Sequence, residues 1–401
     1  MSQARVKARP LVVVGLMSGT SLDGVDAALV RIVRSAGGRA AIKPLASLVR
    51  SWPRGLRQRL VDACEGQAVS VAEHAAVSLD LARVFASAVE DVLRAARRST
   101  LPDLVASHGH TLCHLPARNT VTVQAGDGAL LAELTGTTVA SDFRVADTAA
   151  GGQGAPLVPF VHHELFSHPR HDRVVQNLGG IGNATLLPAG GDTATVGGSD
   201  TGPGNMLIDG CVELLSSGRR RMDKGGRMAA RGTVNRELVA QVMRAPFFRR
   251  KLPASTGREE FGRHLAAGLV ESGRQRGLTA DDIVASATMA TAVAMRRSLS
   301  RMGMPDPREL LLCGGGVLNP SLVAMIAEAF PSSQVKSVAG CGADPLMLEA
   351  QAFALLGFCL VEGRAAGLPA VTGAAGARVL GRISPGANYR GTLLAPGRRK
   401  R

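Results

Sequence analysis

The residues best suited to chemistry come early. Residues 15–24 read Gly-Leu-Met-Ser-Gly-Thr-Ser-Leu-Asp-Gly. Gly19 and Gly24 let backbone N–H groups converge without a Cβ in the way, and Ser18, Thr20 and Ser21 add hydroxyl donors, a combination suited to a polyphosphate. Asp23 and Asp26 would repel a bare phosphate. Their presence beside the donors calls for a hydrated Mg²⁺ between carboxylate and phosphate oxygens, with Asp23 reaching the ion through water. No Gly-Lys-Ser/Thr follows, so this is not a Walker A loop, and the segment opens onto a strand rather than a helix. A plain hairpin turn is the alternative.

Three later segments carry further groups. In residues 198–205 (Gly-Ser-Asp-Thr-Gly-Pro-Gly-Asn), Gly202, Pro203 and Gly204 force a sharp turn into a helix starting at Asn205. Asp200 is left just ahead of that helix, where a carboxylate can cap or act as a base. Residues 108–114 hold three histidines and a cysteine. On a strand His108 and His110 share a face, but no second ligand pair has metal spacing, so these histidines read as core groups or as hydrogen-bonding groups for a substrate. Arg144 can present a planar fork to a carboxylate and Asp147 can accept from a hydroxyl, unless the two form an ordinary surface ion pair. Gly314, Gly315 and Gly316 end a strand and would let a flat ring approach the backbone, as a shelf for adenine or ribose.

These segments need elements to hold them. Leu11 to Val14 and Val25 to Ile32 are strand-like runs around the first turn, forming a hairpin. The pattern recurs at residues 174–187, with Gly179, Gly180 and Asn183 in and beside the second turn, so two lobes of related build are expected. Helices are predicted over 69–98, 205–215, 282–302, 320–330 and 344–362. With 401 residues the chain exceeds one ordinary core. The boundary is placed near 130, giving a lobe of residues 1–130, a second of 131–343, a segment 344–375 that can return to the first, and a tail, 376–401.

Composition narrows the function. The net charge of +15 suggests nucleic acid, but seven of the basic residues lie at the two ends, and with 1 Trp and 1 Tyr there is little on which bases could stack. Six cysteines without a C-x-x-C pair suggest reduced thiols. No apolar run is long enough for a leader or a membrane span, so the cytoplasm is the expected compartment, with neither nucleic acid nor membrane as partner.

Taken in order, these segments resemble the anhydro-N-acetylmuramic acid kinase family, within the superfamily of acetate kinase, sugar kinases, Hsp70 and actin. The match also takes in residues 124–127, 141–159, 255–259, 349–350 and 369–374. The resemblance implies an α/β, two-lobed actin-like ATPase (ribonuclease H-like) fold with a central interdomain cleft. It implies ATP and Mg²⁺, a 1,6-anhydro amino sugar as acceptor, and Asp200 as the base that activates water. Gly19, Thr20, Ser21, Leu22, Asp23, Gly24, Val25 and Asp26 would hold phosphates together with Gly179, Gly180 and Asn183. Gly314 and Gly315 would flank the nucleoside, and Ser18, Thr111, Arg144, Asp147 and Glu349 would grip the sugar. A homodimer is compatible with it. Three departures bear on the sugar pocket: His110 where the family usually has Gln, Ser199 where Phe is common, and a segment 340–349 about two residues longer. A kinase of the same fold for another sugar or a carboxylate, and a nucleotide-gated interaction protein, are the alternatives.

Overall fold

The computed structural model describes residues 9–19, 22, 24–34, 38–64, 70–115 and 120–393. The chain divides into two compact units, residues 1–165 with 342–401, and residues 166–341.

The first unit begins with β1 (Leu11–Ser18), β2 (Val25–Arg34) and β3 (Ala40–Arg50), an antiparallel meander. Two helices follow, α1 (Arg54–Cys64) and α2 (Val71–Ala95), then β4 (Leu104–Leu115), β5 (Val121–Ala125), α3 (Gly128–Thr135), β6 (Val139–Ser141), α4 (Val145–Ala149) and α5 (Val158–Phe166). β1 is buried along nearly its whole length, as a central strand covered on both faces must be. The α2 helix starts where Ser70 accepts the N–H of Glu73. It packs Leu81, Phe85 and Val89 against Val12, Val14 and Leu16. Each such fully buried side chain contributes about 1.5–3 kcal/mol.

The second unit repeats the meander with β7 (Arg173–Leu178), β8 (Ile181–Leu187) and β9 (Gly197–Pro203). Helices α6 (Asn205–Leu215), α7 (Arg227–Arg231), α8 (Arg236–Val242), α9 (Arg258–Phe261), α10 (Arg263–Gln275) and α11 (Ala280–Arg301) follow, then β10 (Glu309–Cys313), α12 (Pro320–Ala329) and β11 (Gln334–Ser337). A capping box of Thr279 and Asp282 starts α11. The buried face of α11 is largely alanine, which lets it lie close to β9, where a Cβ on Gly202 would stand 3.3 Å from the Cβ of Ala294. A core poor in aromatics is therefore filled by close approach of backbones.

The chain then returns to the first unit through α13 (Leu348–Val361), α14 (Pro369–Thr372) and β12 (Arg382–Ser384). The sheet of the first unit runs β12-β6-β4-β1-β2-β3 with β5 on β4, and that of the second runs β11-β10-β7-β8-β9. In each, the first three strands are antiparallel and two more, β4 and β6 in the first and β10 and β11 in the second, extend the sheet from the first strand in parallel, the ribonuclease H-like order, occurring twice.

Four expectations need correcting. The first boundary is at 165/166 rather than near 130, because β6 pairs with β4 and keeps residues 131–165 with the first sheet. Residues 382–384 are not part of a tail, since β12 pairs with β6. Residues 197–203 form strand β9 rather than a turn. His108 and His110 do not share a face: Gly109 adopts φ +77°, and the β1–β4 register slips there, so the two side chains part.

Candidate active site

In the first unit, Thr20, Ser21 and Asp23 lie outside the described residues. Around them the turn is tied by the Leu22 N–H to the Gly19 carbonyl at 3.2 Å, and Arg57 donates to the Leu22 carbonyl at 3.3 Å. A Cβ on Gly24 would come within 2.5 Å of the Arg50 carbonyl oxygen, so this position must be glycine for β3 to pass. Gly15, by contrast, serves packing: its bare Cα admits the Ala350 carbonyl of α13. Val25 is fully buried and offers only its backbone, while Asp26 stands at the start of β2 opposite Met17. Ser18 is 2 % exposed, and its hydroxyl lies 2.8 Å from Nδ1 of His110, which burial holds near a pKa of 4 and therefore neutral.

Further along the same unit, Arg144 precedes α4 without bonding its first N–H groups and is partly buried, which lowers its guanidinium to about 10. Its Nε donates to Nε2 of His108 at 3.0 Å and its Nη1 to the Gly154 carbonyl at 2.9 Å. Glu349, in the first turn of α13, is raised by burial and lowered by the charge of Arg144. Thr111 accepts from Gln124 at 3.4 Å. Asp147, expected as an acceptor from a hydroxyl, is not open to a ligand: it lies in α4 and is buried. It is 2 % exposed, with Oδ2 accepting the Gly154 N–H and Oδ1 accepting the Thr372 hydroxyl, each at 2.8 Å.

In the second unit, Asp200 faces Asn183 across the β8–β9 pair. Cross-strand neighbours of this kind have Cβ atoms about 5 Å apart. Asp200 Oδ2 accepts the Thr256 N–H at 2.8 Å. Burial raises its carboxyl to about 6, with the Thr256 bond acting in the opposite sense. It does not cap α6, whose cap is Gly204. The first N–H groups of α6 are instead taken by the hairpin turn: Asn205 donates to Gly179 at 2.8 Å and Met206 to Gly180 at 3.1 Å. Gly314, at φ +83°, crosses directly over Asn177 and Leu178, and Asn205 donates to the Leu178 carbonyl at 2.8 Å. The sites of Gly179, Gly180, Asn205, Gly314 and Gly315 thus meet, with Asn183 and Asp200 on the adjoining strands. An acid at one turn's remove on α6, Asp209, is raised to about 7 by burial and then by Asp223.

The family model described as anhydro-N-acetylmuramic acid kinase matches residues 11–386. Relatives bearing that name are 42% identical over 380 residues in Gloeobacter violaceus, covering 94% of this chain and 99% of the relative. In Xanthomonas axonopodis pv. citri the identity is 42% over 377 residues, with 92% and 97% covered. The chain belongs to the anhydro-N-acetylmuramic acid kinase family. Membership makes it a phosphotransferase, with ATP as the donor the kinase class implies. A looser likeness, 12% identical with TM-score 0.44 over 87% of this chain and 94% of the other, is to the activator of 2-hydroxyisocaproyl-CoA dehydratase from Clostridium difficile with bound ADPNP.

Against this family's expected site residues, sequence reasoning missed Thr256, because its backbone and not its side chain bonds Asp200. It also left Asn205 as a mere helix start, although an Asn just after a glycine turn is a usable sign of a side chain that ties a loop. His108 was seen as one histidine among three. Its bond to Arg144 spans 36 positions and leaves no local pattern.

Proposed function

We propose that this chain transfers the γ-phosphoryl group of ATP to O6 of 1,6-anhydro-N-acetylmuramic acid while water opens the anhydro bridge, giving N-acetylmuramic acid 6-phosphate and ADP in cell-wall recycling. O6 is bound to C1 as an internal ether and cannot accept a phosphoryl group until that bond breaks. Water forms the new bond to C1, the C1–O6 pair moves onto O6, O6 bonds to phosphorus and ADP leaves. The water's proton passes to Asp200. The observation that carries this reading is Asp200 itself: a partly buried carboxylate near pKa 6, held by one backbone N–H, is ionised at neutral pH yet basic enough to take a proton.

In the same reading, residues 19–26 with Gly179, Gly180 and Asn183 hold phosphates, and Gly314 and Gly315 flank the nucleoside. Thr111, Arg144 and Glu349 grip the sugar, Ser18 completes the grip beside His110, and Asp147, buried against Gly154 and Thr372, holds the loop to which Arg144 also bonds. Asp26, and Asp23 outside the described residues, are oxygen donors of the kind a hydrated Mg²⁺ uses beside phosphates, and the ion would offset charge on those phosphates. The cytoplasm, where ATP is available, is the site of action.

The test is ADP release with the anhydro sugar in ¹⁸O water. One ¹⁸O per product at C1 is expected, and product without it overturns the ring-opening step. ADP release unchanged by sugar would favour a nucleotide-gated interaction protein, and equal turnover of ordinary hexoses would favour a kinase with another acceptor.

A further inference from the structure

We propose that His108 is a positioning residue whose one imidazole lone pair aims the guanidinium of Arg144, so that its unbonded edge and Glu349 together recognise an acceptor carrying an anionic or carbonyl oxygen beside a hydroxyl. The choice of acceptor rests on the kinase reading above; the positioning role does not.

The partners of His108 leave it a single protonation state. Nδ1 lies 3.1 Å from the Gly109 carbonyl oxygen, which can only accept, so Nδ1 carries the proton. Nε2 lies 3.0 Å from Nε of Arg144, which can only donate, so Nε2 presents its lone pair. An imidazolium would set two N–H groups head to head. Burial, and then the Arg144 charge, hold the ring neutral by lowering its pKa well below the usual value. The arrangement depends on Gly109, whose φ of +77° brings its own carbonyl back to the ring, and where a Cβ would stand 2.6 Å from the Ala125 carbonyl oxygen. Phe353 closes the other side, 4.5 Å from the imidazole centroid and 5.5 Å from Phe143, the neighbour of Arg144.

Arg144 spends Nε on His108 and one Nη1 proton on Gly154. Both protons of Nη2 have no partner among the described residues. Glu349 likewise makes no hydrogen bond among them. The two opposite charges influence each other but form no ion pair within 4 Å. A guanidinium edge and a carboxylate that are partly buried, in each other's field and not in contact leave two complementary subsites: donors on the Arg144 side for an oxygen anion or carbonyl, and an acceptor on the Glu349 side for a hydroxyl.

Two measurements decide it. In ¹⁵N-histidine-labelled full-length protein at pH 7, the His108 ring is expected to show a protonated Nδ1 and a bare Nε2, with the Nε2 resonance moving in Arg144→Ala. A protonated Nε2 overturns the proposal whatever the enzyme's substrate. In steady-state kinetics, His108→Leu is expected to raise KM for the sugar about 10–100-fold, the loss of one charge-assisted hydrogen bond, with KM for ATP unchanged and kcat within a few-fold. His108→Gln, whose carbonyl can accept from Nε, is expected to recover most of that loss. Equal damage in both variants, in kcat as much as in KM, would mean a packing role and overturn the proposal. Should His108→Leu not fold, the nitrogen shifts of the native protein and the kinetics of His108→Gln still decide. If the native protein transfers no phosphoryl group to the sugar, the functional reading fails while the nitrogen spectrum continues to test the positioning role.

Discussion

The two sheets share a five-strand order and its pattern of directions, yet burial falls on different residue types in the two units. In the first unit it lowers histidines: His108 well below its usual value, His110 to about 4, His162 to about 3. In the second it raises carboxyls, Asp200 to about 6 and Asp209 to about 7, as it also raises Glu349, which lies beside Arg144 in the first. One cause, loss of water around a charge, thus makes neutral hydrogen-bonding scaffolding in one half and a proton acceptor poised near neutrality in the other. The shared backbone says nothing about which half does which. A handful of residue types does.

The largest effect that would break this contrast is on Asp200. Asp200→Asn is expected to lower kcat about 10²–10⁴-fold, the usual contribution of a general base. Native activity should rise with pH through about 6 as the carboxylate forms. The same substitution should leave the melting temperature unchanged or raise it at pH 7–8. A carboxyl whose folded pKa is raised supports the fold below its unfolded pKa, and that support is lost as pH climbs through the folded value. Near-native turnover in Asp200→Asn would remove the base from the second unit.

A smaller effect separates the units by pH. Histidines with lowered pKa values stabilise the fold fully above their unfolded value, about 6.5, and that support is lost as pH falls toward the folded values. The first unit should therefore open more readily at pH 5 than at pH 8, and the second should not follow it. Hydrogen exchange, corrected for intrinsic rates and read by peptide, distinguishes them; parallel responses in both units would contradict the contrast.

The smallest expected effect sharpens the geometric side. Gly109→Ala combines a left-handed backbone with a 2.6 Å approach to a carbonyl oxygen, whereas Gly303→Ala, at φ +81° in the second unit, meets nothing within 4 Å. Costs of about 2–3 and about 1 kcal/mol are expected from urea midpoints. Equal costs would mean that the bulge beside His108 yields easily.

Residue runs and glycine turns made both hairpins legible, and α6 spans Asn205 to Leu215 as predicted, its start read from the Gly202-Pro203-Gly204 turn. Strand β9 was illegible because Gly197, Gly198, Gly202 and Pro203 are poor strand formers. Pairing with β8 at the sheet edge, where a proline is tolerated, overrides that preference. The parting of His108 and His110 depends on one positive φ, and the commitment of Asp147 to Gly154 and Thr372 depends on burial, neither of which a motif encodes. The site's residue types could be read in advance; which atoms remained unoccupied could not.

The return of residues 342–384 to the first sheet also sets an order of assembly during synthesis. The second unit is contiguous and has all its strands once residue 341 has left the ribosome. The first must wait for α13 to cover β1 and for β12 to take its place beside β6, so the half that begins first finishes last. Throughout that interval β1 and β2 lack the helix that will seal one face of their sheet. A ribosome that pauses once residue 341 has emerged, with α13 still inside it, would hold a nascent chain with its second half folded and its first half open, and that is the stage at which a chaperone would find apolar surface to bind.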